Sequence, residues 1–319
     1  MVTDKLPKAV IYKDGKLSFL DQTKLPMYEI YEEQHTPEQI YNSIKMLKVR
    51  GAPAIGIAGA YGLVVSVKKY INEPVDKFIM ELKKTGEYLN SSRPTAVNLS
   101  WAVNRIIQRA ENSFFNSSNE LWYELEREAE NIYNEDKKIC ANIGRYGAEL
   151  IYDNFGILTH CNAGALAVSE LGTALSPIYT ALNEGKTFKV YADETRPLLQ
   201  GARLTSYELQ TAGVDVTLIC DNMAAYAMSK GLIDVVIVGC DRVAANGDTA
   251  NKIGTMNVAV LANYFKIPFY AACPSSTFDN MTLTGNDIVI ELRDSSEVTH
   301  FGGVQTAPDN MKVLNPAFM

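Results

Sequence analysis

The spacing of apolar residues changes about halfway along the chain, and this change predicts two kinds of structure. From Thr36 to Asp153 apolar positions recur every three or four residues, as in PEQIYNSIKMLK and TAVNLSWAVNRIIQRA, which predicts amphipathic helices. From Phe155 onward short apolar runs such as FKVYA, VDVTLIC and DVVIVGC alternate with helical patterns. This alternation is typical of a parallel sheet flanked by helices, so we predict an α/β fold.

A small antiparallel β start precedes the helical part, because Ala9 to Glu33 alternate apolar and polar positions around Asp14-Gly15. We therefore predict a mainly helical N-terminal domain with a short β cap over residues 1–153, and a Rossmann-like α/β domain over residues 154–319. The boundary near Asn154 has no Pro/Ser-rich linker, so we expect the domains to pack closely, with the substrate between them.

Composition and charge narrow the partners that the chain can have. With 319 residues, 47% hydrophobic and 21% charged, the chain has the composition of a soluble globular protein. A net charge of -7 argues against a broad nucleic-acid or anionic-membrane surface. No apolar run approaches the roughly 18 residues of a membrane helix, and the start MVTDKLPKAV lacks a signal peptide's apolar region. We expect a cytoplasmic protein with a small-molecule partner.

Two segments place chemically useful side chains at the ends of predicted strands. The run DVVIVGCDRVAANGDTANK passes from a buried strand to Asp241, and FGILTHCNAG ends its strand at Cys161. In open α/β sheets ligands bind beyond the carboxyl ends of the strands. Asp241 is either a general acid or base, if partial burial raises its pKa, or a cap of the next segment. Cys161 is a nucleophile, an acid or a polarising neighbour, or simply a buried packing residue.

The remaining cysteines and histidines argue against other kinds of site. The five cysteines are odd in number and form no CxxC pair, which disfavours a disulfide framework or zinc site, and three histidines give little support to a metal. A cysteine hydrolase needs a distant base, and His300, the candidate, has nothing in its surroundings to recommend it. We expect four cysteines to be packing residues: Cys140, Cys220, Cys240 and Cys273.

An anion site is predicted where arginines precede helices that begin with proline. In VRGAPAIG, Gly51 allows a close backbone approach beside Arg50, and Arg93-Pro94 and Arg196-Pro197 repeat the pattern. The alternative is that these arginines pair with carboxylates or cap carbonyl groups. The glycines of AIGIAGAYG lie inside a helical pattern, so we interpret them as helix-packing residues and not as a dinucleotide loop.

Seven motifs together resemble the methylthioribose-1-phosphate isomerase family. They are RGAPAIG, SRPTAVNLSWA, HCNAGALA, YADETRPLLQGARLT, TLICDNMAAYAM, VGCDRVAANGDTANKIGT and PFYAACPSSTFD. The resemblance runs from Val49 to Phe318, and the wider family includes ribose-1,5-bisphosphate isomerases and regulatory subunits of a eukaryotic translation-initiation exchange factor. It implies a homodimeric aldose-ketose isomerase that converts 5-methylthioribose 1-phosphate to 5-methylthioribulose 1-phosphate in methionine salvage, without a metal or nucleotide cofactor.

The resemblance also implies roles for individual residues. Cys161 and Asp241 match the catalytic pair of the family. The positions that match its substrate-binding residues are Arg50, Gly51, Ala52, Arg93, Gln200, Asn251 and Lys252. Arg196 is added to this set because it shares the Arg-Pro pattern.

The substituent at C5 of the sugar stays open at this point. The segment VSELGTALS and Cys240 depart from the family pattern. The chain ends at NPAFM, where the family usually continues, so a looser last strand or a looser dimer is expected. An isomerase of 5-deoxyribose 1-phosphate would share every catalytic residue, and ribose 1,5-bisphosphate is a further alternative. A non-catalytic sugar-phosphate or nucleotide sensor is the alternative from another class, and the presence of both Cys161 and Asp241 disfavours it.

Overall fold

The computed structural model describes residues 2–94, 96–112 and 114–319, apart from the side chain of Thr3, and the chain divides into two units. The C-terminal unit consists of the described residues up to Lys5, of Asn142–Gly164 and of Thr173–Met319. The N-terminal unit consists of Leu6–Ala141 and Ala165–Gly172. Over the described ranges, no helix is both long and apolar enough to cross a membrane.

The N-terminal unit begins with the predicted antiparallel sheet. Its strands are β1 (Val10–Lys13), β2 (Lys16–Leu20) and β3 (Tyr31–Gln34), hydrogen-bonded in that order. Asp14 and Gly15 connect the first two strands with φ angles of 53° and 74°. Positive φ at both central residues suits the right-handed twist of a two-residue hairpin, and this is why an Asp-Gly pair marks the turn in the sequence.

Helices follow, as the apolar spacing predicts. They are α1 (Pro37–Lys45), α2 (Ala52–Val67), α3 (Val75–Asn90), α4 (Val97–Glu111) and α5 (Ser118–Ala148). Helix α2 is apolar on all sides and almost wholly buried, so its neighbours must approach it closely. A Cβ added at Gly59 would lie 2.5 Å from Leu99 of α4, and one at Gly62 would lie 2.8 Å from Ile40 of α1. The interpretation of these glycines as helix-packing residues is confirmed.

The C-terminal unit is built around a parallel sheet. The strands that follow α5 are β4 (Phe155–Thr159), β5 (Phe188–Asp193), β6 (Val216–Ile219), β7 (Val235–Val238), β8 (Arg242–Ala244), β9 (Thr249–Ala250), β10 (Phe269–Ala271), β11 (Phe278–Asp279), β12 (His300–Phe301) and β13 (Val304–Gln305). The helices are α6 (Ser176–Asn183), α7 (Ser206–Ala212), α8 (Ala224–Ser229), α9 (Thr255–Phe265) and α10 (Ser296–Thr299). A π-helical turn, Gly201–Thr205, leads into α7. The predicted α/β fold with a Rossmann-like parallel sheet and a helical N-terminal part is confirmed.

Five of these strands form the main sheet in the order β10-β7-β4-β5-β6. The chain enters at the central strand β4, adds β5 and β6 on one side, and then crosses to add β7 and β10 on the other. Connections that leave in opposite directions open a crevice beyond the carboxyl ends of the two strands where the direction reverses. Here those strands are β4 and β7.

The last turns of α5 belong to the C-terminal unit because they pack on α6. A Cβ added at Gly144 would lie 2.5 Å from the hydroxyl oxygens of Ser176 and Thr180. The division of the chain by contacts therefore assigns residues 142–153 to the C-terminal unit, whereas the sequence pattern places the boundary after Asp153.

Candidate active site

Cys161 lies just beyond β4 and is held by hydrogen bonds on both sides of its own backbone. Its N–H donates to the Oγ1 of Thr195 at 2.8 Å, and its carbonyl oxygen accepts from the Oγ1 of Thr205 at 2.6 Å. Cys161 has a φ of 66°, a left-handed conformation that costs free energy in a residue with a Cβ. The two threonines stabilise this conformation and thereby fix the direction in which the thiol leaves the backbone.

Thr195 connects the end of β4 with the ends of the next two strands. Its hydroxyl donates to the carbonyl oxygen of Asp193, at the end of β5, at 2.9 Å. Its own N–H donates to the Oδ1 of Asp221 at 2.7 Å, and the N–H of Arg196 donates to the Oδ2 at 2.8 Å. Because Asp221 follows β6, the carboxyl ends of β4, β5 and β6 are joined in one hydrogen-bonded network.

A buried glutamate fixes the loop that follows Cys161. Glu208 of α7 is wholly buried and accepts hydrogen bonds from Asn162 Nδ2 at 2.5 Å and from the Tyr179 hydroxyl at 3.0 Å. Asn162 Nδ2 also lies 3.1 Å from the Oγ1 of Thr205. The carboxylate leaves no space for a Cβ at Gly164, which explains a glycine at that position. A buried polar group needs such partners to offset its desolvation.

His160, next to Cys161, forms a buried pair with Asp193. Its Nδ1 lies 3.0 Å from the Oδ2 of Asp193, and its Nε2 lies 2.9 Å from the carbonyl oxygen of Ile253. Burial lowers the pKa of His160, but the hydrogen bond and charge of Asp193 outweigh burial and raise it above the ordinary value. Burial also raises the pKa of Asp193. Because both pKa values are raised, the folded pair holds its proton more tightly than the unfolded chain does.

Among the described residues, one group of side chains has the spacing that a bound cation would need. The ligand atoms of His160, Asp193 and Asp221 lie within 4.8 Å of one another. Most of those atoms already take part in the hydrogen bonds above, while the Oδ1 of Asp193 is buried and has no hydrogen-bond partner among the described residues. The arrangement is that of a hydrogen-bonded network that supports the Cys161 loop.

The pair predicts a pH dependence of stability. Because the folded pKa of His160 is raised, the stabilisation is fully present below the unfolded value of about 6.5 and is lost as the pH rises through the folded pKa. We expect His160→Gln to reduce the free energy of unfolding more at pH 6 than at pH 9. One proton changes the slope of the free energy of unfolding against pH by at most about 1.4 kcal/mol per pH unit. Urea unfolding at a series of pH values measures this slope.

His35→Gln is the matched control, since the His35 side chain is 61% exposed. This variant is expected to keep the pH dependence of the unmodified protein. An unchanged slope in His160→Gln would contradict the assignment of the retained proton to the His160–Asp193 pair.

Asp241 follows β7, the neighbour of β4 at the point where the sheet changes direction. Leu158 of β4 pairs with Val236 of β7, and a Cβ added at Gly239 would lie 2.6 Å from the Cβ of Ala163. The Asp241 N–H donates to the carbonyl oxygen of Ala250 at 2.9 Å. The partial burial considered from the sequence is absent, because the chain turns at Asp241 into the β8–β9 hairpin and leaves this residue exposed. The loops that carry Cys161 and Asp241 are therefore neighbours at one edge of the sheet.

Asn251 and Lys252 pair with the C-terminal segment. Asn251 exchanges backbone hydrogen bonds with Met319 at 3.2 and 2.9 Å. The Nζ of Lys252 donates to the carbonyl oxygen of Ala317 at 3.1 Å and lies 4.8 Å from the centre of the Phe318 ring. The C-terminal segment thus positions the backbone and the ammonium group of the predicted binding residues.

Arg196 and Gln200 differ in what their side chains offer. The guanidinium of Arg196 donates to the carbonyl oxygens of Pro197 and Val298 at 3.1 and 3.0 Å, so it holds the chain together locally. Gln200 is only 7% exposed, and its Oε1 has no hydrogen-bond partner among the described residues. A buried amide oxygen without a partner is costly, and it suits a hydroxyl group of a ligand. Both residues stay predictions as substrate contacts.

The other predicted binding residues lie in the N-terminal unit. Gly51 has a φ of 91°, and an added Cβ would lie 2.5 Å from the Cα of Ala167, so only glycine fits there. Gly51 and Ala52, next to Arg50, form the beginning of the 16-residue helix α2, whose first N–H groups suit an anion. Arg93 precedes α4, and the beginnings of α2 and α4 lie side by side, where a Cβ at Gly56 would be 2.9 Å from the carbonyl oxygen of Asn98.

The sequence reasoning missed the residues that hold Cys161 in place. Thr195, Thr205 and Asn162 contact its backbone or its loop, yet hydroxyl and amide side chains have many uses and carry no spacing signature. One usable signal is that Thr195 falls between the acidic end of a predicted strand and an Arg-Pro pair. Thr205 and Glu208 lie in a helical pattern, and the sequence has no sign that this part of the helix faces the strand ends.

Comparisons with known proteins agree with this fold. The sequence model that describes the initiation factor 2 subunit family matches residues 48–318 of this chain. A protein of Bacillus thuringiensis (strain Al Hakam) named 5-deoxyribose 1-phosphate isomerase is 52% identical over 307 residues, which are 96% of this chain and 88% of the relative.

Two solved structures share the fold with substantial sequence identity. The 5-methylthioribose 1-phosphate isomerase of Pyrococcus horikoshii OT3 has a TM-score of 0.93 and 41% identity, covering 99% of this chain and 89% of its own. A structure named translation initiation factor eIF-2B, subunit delta, from A. fulgidus has a TM-score of 0.90 and 44% identity, covering 98% of this chain and 90% of its own.

Proposed function

Because the chain belongs to the initiation factor 2 subunit family, we propose that it is an aldose-ketose isomerase of a 5-modified ribose 1-phosphate, with 5-deoxyribose 1-phosphate as its substrate. The observation that carries the proposal is the pair of neighbouring loops at the point where the sheet changes direction, one bearing Cys161 and the other Asp241. The choice of substrate is supported by the name of the 52% identical relative from Bacillus thuringiensis.

The reaction requires one hydrogen and one proton to move. Phosphate on the anomeric oxygen blocks the spontaneous ring opening of a free sugar, so the bond between C1 and the ring oxygen must be broken with assistance. The hydrogen on C2 moves to C1, which becomes a CH₂ group that still carries the phosphate. The proton of the C2 hydroxyl ends on the former ring oxygen, and C2 becomes a ketone.

Asp241 and Cys161 can divide these transfers. In the proposal, the bound sugar covers Asp241 and supplies the burial that this residue lacks in the free protein. Asp241 in its acid form then protonates the ring oxygen as the C1–O bond breaks, and its carboxylate takes the C2 hydroxyl proton, so the enzyme is regenerated. Cys161 assists the transfer of hydrogen from C2 to C1, either through an enediol or as a direct shift. The fixed backbone of Cys161 supports this role, because a proton relay must lie within hydrogen-bond reach of its partner.

The predicted binding residues have the chemistry that a sugar phosphate needs. We propose that Arg50, with the N–H groups at the start of α2, binds the phosphate, since a helix N-terminus and a guanidinium both favour an anion. Gln200 accepts a hydrogen bond from a sugar hydroxyl at its Oε1, which has no partner among the described residues. Lys252 adds a positive charge next to the loop that carries Asp241.

5-Methylthioribose 1-phosphate is the second candidate substrate, which would place the protein in methionine salvage. It is supported by the Pyrococcus horikoshii structure, with its TM-score of 0.93. The two sugars differ only at C5, where nothing reacts, so the discrimination depends on the apolar pocket around that substituent and is worth a modest factor. A sensor role, suggested by the structure named as an initiation-factor subunit, is the alternative without catalysis.

Separate incubations with 5-deoxyribose 1-phosphate, 5-methylthioribose 1-phosphate and ribose 1,5-bisphosphate, followed by phosphorus and proton NMR, test the proposal. We expect a ketose 1-phosphate from the first sugar, with a kcat/KM roughly 10-fold or more above that of the second, because a pocket shaped for a methyl group crowds the larger substituent. If 5-methylthioribose 1-phosphate reacted faster, it would replace 5-deoxyribose 1-phosphate as the proposed substrate. A folded protein that binds these sugars and converts none of them would favour the sensor role.

A homodimer is part of the same proposal, and an apolar stripe on α9 supports it. Met256, Val260 and Tyr264 recur every four residues on this helix and are 52%, 57% and 75% exposed. Three large apolar side chains on one exposed face suit a subunit interface. Light scattering after size-exclusion chromatography measures the mass directly, and a monomeric mass at micromolar concentration would exclude the dimer.

A further inference from the structure

Cys240 and Cys273 follow neighbouring strands of the main sheet. Strand β7 pairs with β10 in parallel, with Val238 opposite Ala271. The pairing continues past the strand ends, because the N–H of Ala272 donates to the carbonyl oxygen of Val238 at 2.8 Å. Cys240 comes two residues after Val238, and Cys273 comes two residues after Ala271, so the same register places Cys273 opposite Cys240. Residues that face each other on neighbouring strands are close enough for a disulfide bond.

The strand register brings the two thiols within reach of each other. The thiol of Cys240 donates to the carbonyl oxygen of Ala250 at 3.7 Å. The hydrogen bond from Cys240 lowers the pKa of Cys273 to about 7, with further help from Thr277. The same hydrogen bond and burial raise the pKa of Cys240. The pair therefore combines one thiol that is partly ionised at neutral pH with a protonated partner beside it.

Both side chains are only partly buried, so a small oxidant has access to them. Reactive cysteines are partly exposed and have a lowered pKa, and a second thiol in contact allows the first oxidation product to be resolved. The expectation from the sequence, that both are simple packing residues, does not explain why two partly buried thiols face each other at the edge where the ligand is expected.

We propose that Cys240 and Cys273 form a redox modification site that a peroxide converts to an intramolecular disulfide bond. The Cys273 thiolate attacks a peroxide oxygen, the O–O bond breaks and hydroxide leaves, which gives a sulfenic acid on Cys273. The sulfur of Cys240 then attacks the Cys273 sulfur, its thiol proton leaves with the sulfenic oxygen as water, and the S–S bond forms. The two sulfurs lose two electrons in total, which the peroxide accepts.

The site lies directly beside the proposed general acid, since Asp241 is bonded to Cys240. The N–H of Asp241 and the thiol of Cys240 contact the same carbonyl oxygen, that of Ala250, at 2.9 and 3.7 Å. A disulfide bond would join the carboxyl ends of β7 and β10 and hold the backbone that carries Asp241. The chemical proposal does not depend on the isomerase proposal, because the bond itself is measured.

The test is oxidation of the folded full-length protein with one equivalent of hydrogen peroxide, followed by alkylation of the remaining thiols, protease digestion without reductant and mass spectrometry. We expect a linked pair of peptides carrying Cys240 and Cys273, lighter than the two thiol peptides by two hydrogen atoms, which disappears after dithiothreitol. Diamide, an oxidant that leaves no sulfenic acid, should produce the same linkage.

Cys220 is the matched control within the same chain. It also follows a strand of the main sheet and is partly buried, but it lies beside Glu194, whose charge raises its pKa. Cys220 should remain available for alkylation at the peroxide dose that links the pair. Cys220→Ser should keep the linkage, whereas Cys273→Ser and Cys240→Ser should each lose it while retaining the circular dichroism spectrum of the unmodified protein.

Four results would overturn the proposal. One is that Cys240 and Cys273 both remain alkylatable while Cys161 or Cys220 is oxidised. Another is that Cys273 is oxidised to the sulfinic acid without a linked peptide, which would mean that Cys240 cannot reach it. The third is a linkage of either thiol to a different cysteine, and the fourth is a linkage that forms only in urea.

Discussion

Asp241→Asn is expected to lower kcat for the proposed sugar-phosphate isomerisation by about 10³-fold, and Cys161→Ser by about 10²-fold, with little change in KM. An amide cannot donate a proton to the ring oxygen as a carboxylic acid does, and a serine hydroxyl is a far weaker acid than a thiol. We expect these substitutions to lower kcat with little change in KM, because both residues act on bonds that change during the reaction. Proton NMR of 5-deoxyribose 1-phosphate at saturating concentration measures it.

Asp248→Asn and Cys220→Ser are the matched controls. Asp248 lies in the turn of the hairpin that follows Asp241, is exposed, and accepts a hydrogen bond from Asn246 Nδ2 at 2.9 Å. Both controls should keep kcat within about two-fold, since neither residue has a place in the proposed reaction. If Asp241→Asn turned over the sugar at the rate of Asp248→Asn, the assignment of the general acid would be wrong.

Gly201→Ala is expected to destabilise the C-terminal unit by about 3 kcal/mol and to abolish activity. A Cβ at this position would overlap the carbonyl oxygen of Asp193 and lie 2.9 Å from the Oγ1 of Thr195. The π-helical turn that begins at Gly201 would have to move away from the end of β5. Thr205, in the same turn, would then lose its hydrogen bond to the Cys161 carbonyl oxygen.

Gly185→Ala separates steric overlap from backbone strain. Gly185 has a φ of 85°, and an added Cβ would have nothing within 4 Å, so its cost is the strain alone, about 1–2 kcal/mol. Thermal unfolding of both variants gives the comparison, and isomerase activity should survive only in Gly185→Ala. Equal destabilisation with activity retained in both would show that the turn at Gly201 tolerates a methyl group.

The general form of the fold could be predicted from apolar spacing. The switch from helical to strand-like spacing locates the two architectures, and Asp14-Gly15 marks a hairpin with positive φ at both residues. The order of the strands could not be read in the same way. Whether β7 joins β4 or β6 depends on which edge its flanking helices can cover, and this is a property of packing between distant segments.

The candidate site shows the same limit. Cys161 and Asp241 could be found because each follows a buried apolar run, where a polar side chain is unusual. Thr195 and Thr205 could not, because their importance comes from two distances, 2.8 and 2.6 Å, that exist only after the loops have folded. The facing positions of Cys240 and Cys273 could not be predicted for the same reason, since these residues are far apart along the chain and only strand pairing brings them together.

The central position of β4 has a consequence for how the protein folds. Ile157 pairs with Val190 of the next strand in the chain, but its pairing with Val235 requires closure of a much longer loop. Long-range pairing is slow because the entropy of loop closure must be lost before the contact stabilises the chain. As the chain leaves the ribosome, β4 and β5 can meet before Asp241 has been synthesised. The loop that carries Cys161 therefore assembles first. Catalytic activity also requires the loop that carries Asp241, so it should be among the last properties that the folding chain acquires.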